Sequence, residues 1–293
     1  NHHFWKKFRK AVKDANPDAL ILAEHYGDPS EWLLGDEWDT VMNYDAFMEP
    51  LTWFLTGMEK HSDAHRPDLL ANGAAFWGAM QANMPKLGSG LLIAMNQLSN
   101  HDHSRFLTRT NRRIGRLGNS TSEQAAEGVR YGVMYQAVVM QMTWPGAPAL
   151  YYGDEAGLFG WTDPDNRRTY PWGSENTDLI EFHRAAIRIH KENKALRTGS
   201  LHRLLCDGPV IAYGRSQGEN RIVVAVNAGH EPRQARIPVW INGVARDGRF
   251  ECLMRTCAWG YEQQAEAFDV RDGFLTLTLK EESAVILREI KDV

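Results

Sequence analysis

The sequence predicts an α/β chain: the second half of a TIM-type (β/α)8 barrel over residues 1–197, then an antiparallel β-sandwich over 198–293. Three observations carry this. Apolar runs of strand length end abruptly in acids, at Glu24, at Asp102 and at Asp154 with Glu155. Segments of helical period separate those runs, and from about residue 198 the pattern changes to short alternating runs broken by Gly, Asn and Pro. Parallel strands whose acids all fall at their carboxyl ends describe a barrel with its functional face on that rim.

The elements follow in order. An amphipathic helix runs to about residue 15, with Phe4, Phe8 and Val12 on one apolar face and Lys6, Lys7, Lys10 and Lys13 mainly on the solvated side. Asn16-Pro17 stops it, and ALILAEHY then gives a strand at 19–23 with Glu24 at its tip. After the loop GDPSEWLLGDEWD come a strand at 40–43, a helix at 46–55, a polar loop at 61–68 and a helix at 69–82. LIAMNQLSNHDHSR carries a strand at 91–98 that breaks into Asn100-His101-Asp102-His103. A long helix at 123–143 ends at Pro145-Gly146-Ala147-Pro148, before a strand at 149–152. GLFGWTDPDNRRTYPW is too rich in aromatics, Asp and Arg for a bare connector, and a helix at 179–194 closes the series. VIAYGR, RIVVAVNA, RQARIPVWI, FLTLTL and SAVILREI read as sandwich strands.

At 293 residues and 43% hydrophobic content, the chain can bury one large core and carry a smaller second domain. A net charge of −4 with dispersed basic residues gives nucleic acid no clustered basic surface. No apolar run approaches the length of a membrane span, so neither partner is expected. Cys206, Cys252 and Cys257 lack zinc spacing and are expected as free thiols, which fits a reducing compartment such as the cytoplasm. The chain opens at Asn1 in mid-pattern, as a piece of a longer protein would.

An Asn-His-Asp triplet alone reads as a helix cap. Beside a second acid from another strand end, a His, and nearby Trp and Tyr, it suits glycosidic bond cleavage through a cationic transition state. From the residues alone, Glu24 at the end of an apolar run is the proton donor and Asp102 its partner. The 10 tryptophans, several in loops beside acids, suit sugar rings, which offer C–H faces for stacking. About four β/α units cannot close a barrel. Each end strand would keep unpaired backbone groups beside apolar surface, so a preceding half is the expected partner.

Four motifs in order, AEHY at 23–26, VMNY at 41–44, NHD at 100–102, and PGAPALYYGDEAGL followed by DPDNRRTYPW at 145–172, carry a family resemblance. They resemble the fifth to eighth barrel strands of the α-amylase superfamily (glycoside hydrolase family thirteen), most of all the cyclomaltodextrinase, neopullulanase and maltogenic amylase group. The resemblance extends over nearly the whole chain, sandwich included. It implies a retaining enzyme acting on α-glucosidic bonds of maltooligosaccharides, cyclodextrins or related α-glucans. It also reassigns one residue: Glu24 is implied as general acid/base, but Asp102 as the carboxylate that holds sugar hydroxyls and favours the distorted ring, not as nucleophile. His101 is implied to bond hydroxyls of the same sugar, with Asn100, His25 and Tyr26 also binding substrate. Tyr26 stands where relatives commonly carry Trp. Asp163 and Arg167 resemble a pair that grips glucose units towards the non-reducing end, against the plainer reading of a surface salt bridge. Arg105 is open between an active-site carboxylate and a structural pairing at a helix start. The family's nucleophile, an Asp ending the fourth strand, has no counterpart here, so the chain alone is expected to be inert. No cofactor or metal is expected in this chain; Ca2+ is left only to the missing half. The partners implied are the amino-terminal half of the enzyme, an α-glucan substrate and, for the complete enzyme, a second copy in a homodimer. A non-catalytic carbohydrate-binding relative and an α-glucan glycosyltransferase are the competing readings. Intact Glu24 and Asp102 argue against the first. Trp240 and Trp259 show no paired platform and are expected to pack.

Overall fold

The computed structural model describes residues 1–290. Helix α1 (His2–Ala15) forms as expected but turns a different stripe inward. Trp5, Arg9, Val12 and Lys13 are half-buried, while Phe4 and Phe8 are 55% and 41% exposed. Asp39 is the reason. It accepts from Arg9 Nη1 at 2.6 Å, from Lys13 Nζ at 3.0 Å and from the Ile21 N–H at 2.9 Å. That pulls the basic stripe onto the sheet and leaves the two phenylalanines in water; Lys13, expected in solvent, packs along its stem.

Strands β1 (Leu22–Ala23), β2 (Thr40–Val41), β3 (Met95–Gln97) and β4 (Ala147–Ala149) run parallel in chain order, β2 meeting β3 through a bridge between Met42 and Met95. Between them come α2 (Glu49–Thr56), entered through a π turn at Tyr44–Met48, then α3 (Gly73–Asn83), α4 (Phe106–Arg109) and α5 (Tyr131–Thr143). After β4 follow α6 (Thr177–Glu192) and α7 (Lys194–Thr198). All four strands are shorter than the sequence predicts. Residues Met84–Ile93 coil in 3-10 turns, which trims the strand expected at 91–98, and the one expected at 149–152 begins earlier and ends at Ala149. The helix expected at 123–143 divides because Gly128 adopts φ +73°, leaving one 3-10 turn at Glu123–Ala125 before α5. The helix expected at 69–82 starts only after Ala71 (φ +55°), with Asn72 Oδ1 capping the Ala75 N–H at 3.0 Å.

Side chains bind these short strands together. Asn43 Nδ2 donates to Asn96 Oδ1 at 2.7 Å, and Asn96 Nδ2 to the Pro145 carbonyl at 3.0 Å. A Cβ on Gly146 would lie 2.4 Å from Asn96, so the ladder needs glycine there. Gln141 of α5 donates to the carbonyls of Asn96 and Ala149, both at 2.9 Å. The sheet is open: β1 and β4 are its edges, and Leu20, Leu22, Leu150 and Tyr152 beside them are exposed.

The sandwich comprises β5 (Ser200–Asp207), β6 (Val210–Gln217), β7 (Asn220–Asn227), β8 (Arg233–Pro238), β9 (Gly248–Cys257), β10 (Gly260–Glu262), β11 (Ala267–Arg271), β12 (Phe274–Leu279) and β13 (Ser283–Ile290). They pair antiparallel in the order β5-β6-β7-β13-β9-β11-β12-β8, with β10 beside β9. β6, β7 and β13 read as almost continuous apolar text because both faces are covered. Ile211, Tyr213, Ile222, Val224 and Ile286 pack on the helices; Ala212, Val223, Val285 and Leu287 fill the space between the layers. β12 alternates, Leu275, Leu277 and Leu279 inward and Thr276 and Thr278 outward, because its far face meets water. A bulge where β13 shifts register against β9 turns Met254 towards the helices while Phe250 and Cys252 stay between the layers. Helix α5 is buried from Gly132 to Thr143 and joins the two parts, its Gln136 donating to the Asn227 carbonyl at 2.8 Å. Cys206, Cys252 and Cys257 are free thiols. No described helix is long and apolar enough to cross a membrane.

Candidate active site

Past the end of β1, side-chain alternation separates Glu24 and Tyr26 from His25. His25 turns away from the acids and packs on Trp32 and Trp38, at 4.8 and 5.4 Å between ring centres. It stands outside the cluster that Glu24 forms with His101 and Asp102. Tyr26 stacks on Tyr44 at 4.6 Å and 17°, and its hydroxyl donates to Asp102 Oδ2 at 3.3 Å.

Past β3, Asn100 shapes the turn. Its Oδ1 accepts from the N–H groups of Asp102 and His103 at 3.1 and 2.9 Å, and its Nδ2 donates to Tyr44 Oη at 3.0 Å. Tyr44 in turn donates to Glu24 Oε1 at 3.1 Å. The turn brings His101 Nε2 within 3.4 Å of both Glu24 Oε1 and Asp102 Oδ1. These three side chains are 38–40% exposed, open to whatever binds over them. Burial, the first cause at each, raises the pKa of the Tyr26 and Tyr44 phenols, so both remain hydrogen-bond donors. Beneath them lies buried His103, edge-on to Tyr44 at 5.5 Å; burial, reinforced by Arg109, pushes its pKa down to about 2, so it is neutral. Lys60, ion-paired with Glu49, sits over the Tyr26 ring at 5.1 Å.

The loop after β4 clamps this turn. Asn166 Nδ2 donates to the carbonyls of Asn100 and His103 at 3.0 and 2.7 Å, and Arg167 Nε to that of His101 at 3.1 Å. Arg167 also pairs with Asp163 at 2.7 Å and reaches to 3.9 Å from Asp102. Asp163 and Arg167 thus form a salt bridge with each other and stand on the same rim as the acids. Arg105 is fully buried and pairs with Asp154 at 2.9 Å, donating also to the carbonyls of Tyr152 and Asn166. Of its two expected roles, the structural one is realised. Tyr44, Lys60, His103 and Asn166 were not singled out for the site from sequence. Tyr44 could have been, since it follows the apolar run of β2 as Glu24 follows that of β1.

Among the described residues, two side-chain sets bring ligand-type atoms within 4.8 Å of one another: Glu24, His101 and Asp102, and Glu59, His61 and Asp63. In the second set Glu59 is taken up by His61 at 2.6 Å and Asp63 by Arg116. The first faces open space with two acceptors around an imidazole donor, which suits sugar hydroxyls.

Two carboxylates from different strands thus stand around a histidine on the carboxyl rim of parallel strands. The family described as "Alpha amylase, catalytic domain" matches residues 1–198, and "Alpha amylase, C-terminal all-beta domain" matches 207–289. The chain belongs to the α-amylase family. It is 37% identical over 218 residues to an amylopullulanase of Thermoanaerobacter thermohydrosulfuricus, covering 73% of this chain and 14% of that protein. A cyclomaltodextrinase of Thermoanaerobacter pseudethanolicus is 34% identical, covering 78% of this chain and 35% of its own length. The solved debranching enzyme from Nostoc punctiforme superposes with a TM-score of 0.77 at 30% identity, over 97% of this chain and 54% of that one. The chain thus spans about half, or less, of the proteins it resembles.

Proposed function

We propose that this chain supplies the proton donor and the ring-distorting acid of a retaining α-glucan hydrolase whose nucleophile lies outside it. Glu24, held by the Asn100–Tyr44 relay, protonates the departing glycosidic oxygen and afterwards takes a proton from the attacking water. Asp102 and His101 hold hydroxyls of the sugar that becomes oxocarbenium-like, and the Asp163–Arg167 pair holds the next sugar. The observation that carries this reading is His101 Nε2 at 3.4 Å from both Glu24 and Asp102. Relatives named cyclomaltodextrinase and amylopullulanase favour cyclodextrins, maltooligosaccharides or related α-glucans as substrate.

Retaining chemistry needs an attacking carboxylate about 5 Å from the acid. The open sheet, with leucines exposed at both edges, favours further strands docking there and bringing that group with them. The test is turnover of maltoheptaose by the chain alone and after addition of an amino-terminal barrel half. No turnover alone, turnover with both, and its loss in Glu24→Gln with binding kept are expected. Full activity of Glu24→Gln removes Glu24 from the mechanism.

A further inference from the structure

A hollow of about 630 Å³ opens between the first turns of α5 and α6 and the turn joining β9 to β10, sharing no residue with the Glu24–Asp102 rim. Trp259, at the tip of that turn, is 93% exposed, against the expectation that it packs. A second hollow of about 220 Å³ borders the same indole, and Tyr135 and Asp178 line both. A bare indole in water is unfavourable in proportion to its apolar area, so such a group is informative where a buried one is not. The turn that presents it is fixed in place: Ala258 presses on Gly132 so closely that a Cβ there would lie 2.7 Å from the Ala258 Cα. Below it, buried Tyr135 is held edge-on against Phe182 at 4.6 Å. Asp178 is exposed on the rim, and buried Glu282, paired with Arg130 and with His230 at 3.1 Å, is also part of the wall. A rigid flat ring beside carboxylates, over a space of ligand size, matches a sugar ring: its C–H face covers the indole and its hydroxyls donate to the acids.

We infer that this hollow is a second, non-catalytic binding site for a maltooligosaccharide, with Trp259 as the stacking platform and Asp178 as an acceptor for hydroxyls. The choice of sugar rests on the α-glucan reading above. A glucan held here is tethered to the molecule that carries Glu24, which raises its effective concentration at the rim.

The test is titration of the purified chain with maltohexaose, followed by tryptophan fluorescence and saturation-transfer NMR, with Asp102→Ala in every form to weaken the catalytic rim. Trp259→Ala is expected to lower affinity about tenfold, and Asp178→Asn about threefold, with unfolding curves unchanged. No binding without these substitutions, or equal affinity in Trp259→Ala, overturns the inference. So does a change in oligomeric state in Trp259→Ala without loss of sugar binding, since a second copy then covers the indole. Trp259-dependent binding that persists while the completed enzyme hydrolyses no α-glucan would sink the proposed function and leave this site standing.

Discussion

The barrel part and the sandwich are held together in opposite ways. Strands β1 to β4 are only two or three residues long, bridged by Asn43 and Asn96 and open at both edges. β6, β7 and β13 are each 8 residues long and buried on both faces. The rim to which we assign the chemistry is thus the part least able to order itself. It takes its order from α5, whose Gln141 grips β3 and β4 while Gln136 is anchored in the sandwich.

That contrast predicts separable damage. With an amino-terminal barrel half added, Glu24→Gln is expected to lower maltoheptaose hydrolysis about 10³-fold without moving the Tm. An α-maltosyl fluoride, whose leaving group needs no proton, should lose far less. Phe250→Ala, between the sandwich layers and fully buried, is expected to cost about 3–5 kcal/mol in urea unfolding. A small loss there would mean that the barrel part carries the stability.

The third contrast is in pH. His103 titrates near 2 in the fold against 6.5 when unfolded, so below 6.5 the unfolded chain binds a proton that the native one refuses. Stability from this group is complete above about pH 6.5 and lost as pH falls, by about 2 kcal/mol at pH 5. His183 and His190, whose pKa values burial also lowers, act in the same direction. His103→Phe is expected to flatten the acid limb in urea titrations at pH 5 and 7; an unchanged limb would contradict it. The smallest effect is expected at the surface of α1. Phe4→Ser with Phe8→Ser should change stability by less than about 0.5 kcal/mol while reducing self-association in light scattering. A much larger loss would show that this stripe is packed in solution.

What the sequence discloses follows the same division. Acids at the ends of apolar runs point to Glu24 and Asp102, and the structure brings both beside His101, because the ends of parallel strands share one rim. Alternation located β12, and unbroken apolar text located β6, β7 and β13, because local pattern records which faces are covered. β9 is not legible in the pattern because its bulge changes the buried face midway and Arg249, Glu251 and Arg255 interrupt the run. Periodicity does not disclose the inward stripe of α1, because Asp39, remote in sequence, decides it. His25 shares a motif with Glu24, whereas the backbone sends it to Trp32 and Trp38. Tyr44 and Asn166 act through neighbours from other strands, a relation that periodicity does not record.

The most direct measurement is where a trapped glycosyl intermediate sits. The chain is combined with an amino-terminal barrel half, treated with a slow-turnover 2-fluoro-α-glycosyl fluoride, and both polypeptides are weighed by intact mass spectrometry. The adduct is expected on the added half, with this chain at its unmodified mass. An adduct on Asp102, or on any carboxylate between Asn1 and Val293, would contradict a nucleophile supplied from outside.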